Sequence, residues 1–169
     1  MDRIIKRNEK LAFYKVGNTF YRMRGFTDFA ISKNPNEYSR KYVDEETERN
    51  DIVGYNPQIS FSFDRFSQDT VHTDMVNIAD KELLGGDAVR QIMIVNLTEE
   101  DDDGCVASVR EFSVIPDSEG SDADTYTYSG TLKANGALVF GIASTTDGWK
   151  TASFEADADE DEGENDEDE

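Results

Sequence analysis

Few residues of this sequence combine the type and spacing that catalysis or metal binding requires. His72 is the single histidine and Cys105 the single cysteine, so the chain can form neither a Cys/His zinc site nor an internal disulfide. A nucleophilic triad would need His72 as its base, but no nucleophile motif accompanies it, and it falls at a polar position of a predicted helix start. The sequence therefore predicts no enzyme, no cofactor and no metal site, and a structural role for His72.

The acidic run Asp101-Asp102-Asp103-Gly104 is the remaining candidate for a ligand site. Its carboxylates could hold calcium weakly, but it lacks the spaced ligands and the closing glutamate of an EF-hand loop. A solvated turn is the preferred interpretation. Paired carboxylates elsewhere do not identify a general acid and base, because acidic residues occur throughout the chain. Gly-rich and Walker-type nucleotide motifs are absent from the sequence.

Charge is distributed unevenly along the chain. The formal net charge is −20, and residues 155–169 hold eleven acidic residues and no basic one, which leaves −9 for residues 1–154. We predict that residues 155–169 form a disordered acidic tail and that residues 1–20 form a basic arm. A protein of this charge is repelled by phosphates, which excludes an ordinary DNA-binding role.

Short strands with alternating polarity dominate residues 21–154. In residues 58–64, Ile59, Phe61 and Phe63 alternate with polar residues, as in a half-buried strand. Residues 21–32 and 37–43 are also predicted strands. Further strands are expected at residues 89–97, 106–115, 124–133, 137–143 and 149–154.

One helix is predicted, over residues 69–84. Asp69 or Thr70 can cap its start, Val71, Met75 and Ile78 have helical spacing, and Gly85-Gly86 can end it. The fold class that follows is mainly β: an antiparallel β-sandwich or barrel with one flanking α-helix, in a domain of residues 21–154.

A charged segment separates the first two predicted strands of this domain. It spans residues 34–57, opens with the turn signal Asn34-Pro35-Asn36, and has little apolar content. Long structureless connections are uncommon inside compact domains. We therefore expect an extended charged hairpin at about residues 40–53, with a function of its own.

Residues 21–66 resemble the tail tube (major tail) proteins of phages and prophages of Gram-positive bacteria. Their sequence is YRMRGFTDFAISKNPNEYSRKYVDEETERNDIVGYNPQISFSFDRF, and a helix and the strand DAVRQIMIV follow. The likeness covers residues 1–97 well and the later strands in outline. It rests on the ordered block GFTD, KNP, YVDE and GYNP and not on one short motif. The resemblance implies a β-sandwich with a flanking helix, and hexameric rings that stack into a hollow tube for passage of viral DNA into the host cell.

The resemblance also implies roles for particular residues. The charged hairpin would stack neighbouring rings, and the candidates for inter-ring ion pairs are Arg40, Lys41, Asp44, Glu45, Glu46, Glu48 and Arg49. The polar face of the inner strands would line the lumen, and its candidates are Asp28, Ser32, Ser60, Ser62 and Asp64. A register error of one residue would move each lumen candidate to the other face. A polar, acidic lumen would let DNA slide without binding. The basic residues of the N-terminal stretch are expected to pair with acidic loop residues of a neighbouring copy; they are Arg3, Lys6, Arg7, Lys10, Lys15, Arg22 and Arg24.

The partners that the resemblance implies are further copies of the chain, a tape measure protein in the lumen, and tail terminator and baseplate or distal tail proteins at the ends. No membrane contact is expected, and the expected location is the virion tail after assembly in the bacterial host cytoplasm.

Two alternatives stay open. One is a tube protein of a contractile tail or a phage-derived injection particle. The other is an acidic binding module, calcium-dependent or a DNA mimic, which predicts a monomer or dimer. The acidic tail is either a solubilising brush or without a specific role.

Overall fold

Eleven strands and one α-helix build residues 2–158, the part of the chain that the computed structural model describes. The first strands are β1 (Lys10–Val16), β2 (Thr19–Arg22), β3 (Phe26–Ser32), β4 (Pro35–Arg40), β5 (Arg49–Tyr55) and β6 (Gln58–Asp64). The helix α1 (Thr70–Asp80) precedes β7 (Val89–Asp101), β8 (Gly104–Glu119), β9 (Thr127–Ala134), β10 (Val139–Ser144) and β11 (Thr151–Ala156). The predicted acidic tail lies outside the described residues from residue 159 onward, and its first two residues belong to β11.

Six strands close an antiparallel barrel in the order β1, β7, β8, β10, β11 and β2. The long strand β8 makes closure possible. One edge of β8 pairs with β7, and its other edge pairs first with β10, through residues 105–109, and then with β9, through residues 112–119. The barrel interior is filled by Leu11, Phe13, Phe20, Met93, Val95, Cys105, Ala107, Val109, Ala143 and Ala152.

A second core lies on the outer face of the same strands. Side chains alternate along a strand, so Phe13 and Met93 point into the barrel while their neighbours Tyr14 and Ile92 point out of it. The strands β9, β6 and β3 extend the sheet from the second half of β8, and α1 packs over it. This core contains Tyr14, Ile59, Phe61, Phe63, Val71, Met75, Ile78, Ala88, Ile92, Phe112, Val114 and Leu132.

The predicted fold class is confirmed: the described chain is mainly β, antiparallel, and carries one flanking helix. The helix is shorter than the predicted 69–84. It ends at Asp80 because Glu82 has a φ of 50°, a left-handed conformation that breaks the helical hydrogen-bond pattern. No helix among residues 2–158 is long and apolar enough to cross a membrane.

Two sequence predictions near the N-terminus differ from the structure. Residues 10–20, predicted as part of a basic arm, form β1 and the start of β2, and Phe13 and Tyr14 are fully buried. Leu11 and Phe13 face one core and Tyr14 faces the other, which is a strand pattern and not an arm. The predicted strand 21–32 is divided between β2 and β3. Gly25 makes the break, because its φ is +76° and a Cβ there would lie 2.8 Å from the Phe66 ring.

Candidate assembly surfaces

The hairpin β4–β5 stands apart from the rest of the sheet. Within residues 2–158, each of its two strands pairs only with the other. Its residues are exposed throughout, except for Arg40, Glu45 and Gly54, which are half-buried. An isolated two-stranded hairpin is at best marginally stable in water. The hairpin is therefore expected to gain stability from contact with another surface.

Large apolar side chains distinguish this hairpin from an ordinary charged loop. Those that are exposed are Tyr38, Tyr42, Val43, Ile52, Val53 and Tyr55. The expectation of little apolar content overlooked these residues, because they occur singly or in adjacent pairs among charged and polar residues and form no longer apolar run in the sequence. Single exposed apolar residues are normal, but six on the two faces of one protruding hairpin make it a candidate interaction site.

Three of the seven predicted inter-ring residues are paired inside the hairpin. Arg40 lies 2.5 Å from Asp51, and Arg49 lies 2.5 Å from Glu45. Both guanidinium groups also lie over the Tyr42 ring, at 5.5 and 5.7 Å from its centroid. These contacts organise the tip of the hairpin.

The other four candidates lie in the connection between β4 and β5. They are Lys41, Asp44, Glu46 and Glu48, and all four are exposed. Within residues 2–158 they make no ion pair of 4 Å or less. The connection thus presents three acids and one base. That these residues pair with a neighbouring ring stays a prediction.

A pair of asparagines clasps the base of the hairpin. The Asn56 backbone N–H donates to the Asn34 carbonyl, and the Asn34 side-chain amide donates to the Asn56 carbonyl, both at 3.2 Å. Asn34 has a φ of 44°, a conformation that asparagine tolerates better than most residues. Ser32, the last residue of β3, pairs with Gln58, the first residue of β6, and this residue pair flanks the two asparagines. The hairpin therefore leaves the body at the Ser32 end of this strand pair.

The five lumen candidates lie on one face of the sheet. Asp28 is opposite Ser62, and Ser32 is opposite Gln58, whereas the Phe61 and Phe63 side chains point to the core on the other face. The polar face as a whole carries Asp28, Ser32, Gln58, Ser60, Ser62, Asp64, Thr127, Ser129, Thr131 and Lys133. It holds hydroxyl groups, two carboxylates and one ammonium group. The role of this face as a lumen stays a prediction.

The strand β3 forms one edge of the sheet. Within the described chain it pairs with β6 alone, so its other edge offers unpaired backbone groups. The Arg7 side chain donates to the Phe29 carbonyl of this edge at 3.2 Å. Arg3 pairs with Glu9 at 2.7 Å, and this hydrogen bond lowers the pKa of Glu9 to about 2. Two of the N-terminal bases are thus engaged within the chain.

A basic pocket lies where β2 ends and α1 begins. Its volume is about 400 Å³, and its charged lining residues are Arg22, Arg24, Lys150 and Asp69. Arg24 pairs with Asp69 at 2.7 Å, and Arg22 donates its backbone N–H to the Lys150 carbonyl, which places these two residues side by side. The lining carries three positive charges and one negative charge. We call this site the basic pocket.

His72 is fully buried, in contrast to the polar position predicted for it. Its Nδ1 accepts from the Phe66 backbone N–H at 3.1 Å, and its Nε2 lies 2.7 Å from the Arg24 carbonyl, to which it donates in the neutral ring. The ring stacks on Phe63 with centroids 4.4 Å apart. The helix turns His72 inward because it follows Val71 and precedes Met75 by three residues, on the apolar face. The histidine joins the β2–β3 turn to the start of α1, which is a structural role.

The buried ring predicts an acid-sensitive fold. Burial lowers the pKa of His72 below its ordinary value of 6.5, so below pH 6.5 the unfolded chain binds a proton that the folded protein excludes. The free energy of unfolding is expected to fall by up to about 1.4 kcal/mol per pH unit below pH 6.5. Urea unfolding of the wild type and of His72→Gln between pH 7.5 and 5 measures this slope. If the free energy of unfolding changed equally with pH in the two proteins, His72 would not be the cause of the acid sensitivity.

Asp74 holds a polar network between the helix and the barrel. The Tyr14 hydroxyl donates to Asp74 Oδ2 at 2.5 Å, and Arg90 Nε donates to the same oxygen at 2.9 Å. Burial, together with the hydrogen bond to Asp74, raises the pKa of Tyr14. Sequence reasoning missed this network. The available signal was an acid on the apolar face of α1, three residues after Val71 and four before Ile78.

Within the acidic run, Asp102 and Asp103 form the exposed turn between β7 and β8, and Asp101 and Gly104 are the paired strand residues on either side of it. The Asp102 backbone N–H donates to the Asp101 side chain at 2.5 Å. Among residues 2–158, no group of three His, Cys, Asp or Glu side chains is arranged so that it could hold a metal ion.

Comparison with known proteins gives a result at the level of the fold. No protein-family model matches the sequence, and no curated protein matches it. A chain from the tail of an empty gene transfer agent particle, refined helically with C6 symmetry, is 17% identical, with a TM-score of 0.57. The alignment covers 81% of this chain and 98% of that one. The two chains share a fold. A chain from the virion of the native gene transfer agent particle matches at 18% identity with the same TM-score and coverage.

Proposed function

We propose that the protein is a structural tail tube subunit of a tailed phage or prophage of a Gram-positive bacterium, and that it has no enzymatic activity. The observation that carries this proposal is the exposed hairpin β4–β5, with six large apolar side chains. It extends from a body whose fold is shared with a component of a particle tail. Such a hairpin suits a subunit that is completed by contact with further copies of itself.

Six copies form a ring in this proposal. The C6 symmetry of the tail whose component shares the fold supports this number. The free edge of β3 joins the sheet of the next subunit, which removes an exposed edge. The polar face that carries Asp28, Ser32, Ser60, Ser62 and Asp64 then lines the lumen. Hydroxyls and carboxylates there offer DNA few positive charges, so the DNA passes without binding.

The hairpin stacks one ring on the next. Its apolar side chains supply area that leaves water on assembly, and the charges at its tip orient the contact. The natural partners are a tape measure protein inside the tube and tail terminator and baseplate or distal tail proteins at its ends. The protein then resides in the virion tail, after assembly in the host cytoplasm. A sheath gene beside its own gene would place it in a contractile tail or a phage-derived injection particle instead.

Electron microscopy of the purified full-length protein tests the proposal. Negative-stain images over a range of protein and salt concentrations are expected to show rings or hollow tubes of uniform diameter. Light scattering on the same samples should rise with concentration as rings stack. If small particles alone appear under every condition, also after removal of residues 155–169, the tube proposal is wrong and an acidic binding module becomes the better explanation.

A further inference from the structure

We propose that the basic pocket binds the acidic tip of the hairpin of a second copy. This inference rests on the proposed function, since a stack of rings needs one surface that offers the hairpin and another that receives it. The proposed receiver is the surface formed by Arg22, Arg24 and Lys150, and the proposed ligand is the connection at residues 41–48. Four observations carry the argument: free cations, free acids, opposite positions on the body, and sufficient reach.

The basic side chains of the pocket are accessible to a partner. Arg24 is engaged with Asp69 and lies over the Phe66 ring, but it remains exposed. Arg22 and Lys150 are also exposed, and neither makes an ion pair of 4 Å or less with any residue in the described range. The net charge of the lining is +2, in a chain whose overall charge is −20. A positive concavity on so acidic a protein attracts an acidic segment and not a basic one.

The hairpin tip, residues 41–48, carries exposed acidic side chains that can bind a partner. Asp44, Glu46 and Glu48 are exposed, whereas Glu45 is held by Arg49. The bidentate contact between Glu45 and Arg49, with N–O distances of 2.5 and 2.7 Å, holds the tip in one shape. Val43 is fully exposed beside these acids. The tip therefore presents a preformed acidic surface with two exposed apolar residues, Tyr42 and Val43, and its preformed shape lowers the ordering cost of binding.

The pocket and the hairpin lie at opposite ends of the body. The hairpin follows Ser32 at one end of β3, whereas Arg24 lies two residues before Phe26 at the other end. A contact between two different surfaces at opposite ends is heterologous and repeats from copy to copy, so it builds a stack and not a closed pair. The six residues of β4 extend about 20 Å at roughly 3.3 Å per residue, enough to bridge to a neighbouring copy.

Among the basic residues that the sequence suggested as the receiver, Arg22 and Arg24 of the pocket are better placed than Arg3 and Arg7. Arg3 is paired with Glu9, and Arg7 is hydrogen-bonded to the carbonyls of Lys10 and Phe29. Those side chains would have to break existing contacts before binding an acid. Arg22 and Lys150 would not. Arg3 and Arg7 therefore contribute less to the contact than the basic pocket does.

Cross-linking of full-length variants tests the contact without requiring tubes. Glu46→Cys and Lys150→Cys are mixed and treated with a short bismaleimide, and dimers are counted on a denaturing gel. We expect at least about ten times the dimer yield of a mixture of Glu46→Cys and Lys133→Cys, because docking holds the two thiols at a high effective concentration. Lys133 is exposed but lies on the polar face, away from the pocket lining. The wild type, with only the buried Cys105, controls for the native thiol, whose pKa is raised by burial.

Reversal of the charge at Arg22 is a second test of the contact. Arg22→Glu, added to the Lys150→Cys protein, is expected to lower the dimer yield roughly five-fold at low salt. Equal yields for the pocket and Lys133 mixtures would overturn the inference, and so would indifference to Arg22→Glu. Tubes without the specific cross-link leave the proposed function standing and remove this contact. The specific cross-link without any tubes would support this contact and would contradict the tail tube proposal.

Discussion

A variant in which residues 35–55 are replaced by a short Gly-Ser turn is expected to form no tubes while its barrel stays folded. The replaced strands β4 and β5 pair only with each other within residues 2–158, and neither core includes a residue from them. Their loss therefore removes the six exposed apolar side chains of the hairpin and leaves both hydrophobic cores intact. The Asn34–Asn56 clasp remains to close the new turn.

Sedimentation and negative-stain microscopy measure this effect, and circular dichroism checks the fold. Assembly should drop below detection at concentrations where the wild type is tubular. Ser39→Ala is a matched control, because it removes an exposed Ser39–Asn50 hydrogen bond within the hairpin and keeps every apolar side chain. Ile52→Ser combined with Val53→Ser should give an intermediate loss of assembly. Tubes of unchanged diameter from the hairpin-less protein would show that stacking uses another surface.

The second large effect is expected at Asp74. Asp74→Ala should lower the free energy of unfolding by about 3 kcal/mol, because it leaves the half-buried Arg90 charge and the fully buried Tyr14 hydroxyl without their partner. Tyr14→Phe keeps the Asp74–Arg90 pair and should lower it by only about 1 kcal/mol. The ordering of the two variants follows from which group is left unpaired.

Urea denaturation of the hairpin-less variant is the suitable background for this comparison, since ring assembly would otherwise add to the apparent stability. Asp80→Ala, at the last position of α1, controls for the loss of one helical acid outside the network. If Asp74→Ala costs less than about 1 kcal/mol, the network does not anchor the helix.

Local chemistry carried much of the fold prediction. The alternation of Ile59, Phe61 and Phe63 with polar residues correctly predicted β6 and its buried face, because successive side chains in a strand point to opposite sides. Asp69 correctly marked the start of α1, since its side chain accepts the His72 backbone N–H at 3.0 Å. The interruption at residues 34–57 also predicted a hairpin. Each of these signals lies within a few residues of what it determines.

Only the tertiary structure decided the features that depend on distant residues. The barrel closes because β8 changes partner from β10 to β9 along one edge, which no short window of sequence reveals. The burial of His72 and the Tyr14–Asp74–Arg90 network depend on where α1 packs against the sheet. The pairing of Arg40 and Arg49 with acids of their own hairpin depends on the register of β4 and β5. The sequence by itself therefore determined most of the strands, the faces of β6 and the interrupting hairpin, because these follow from local alternation and turn signals, but it did not reveal β1. Chain topology and packing decided which charges and polar groups remain free for a partner.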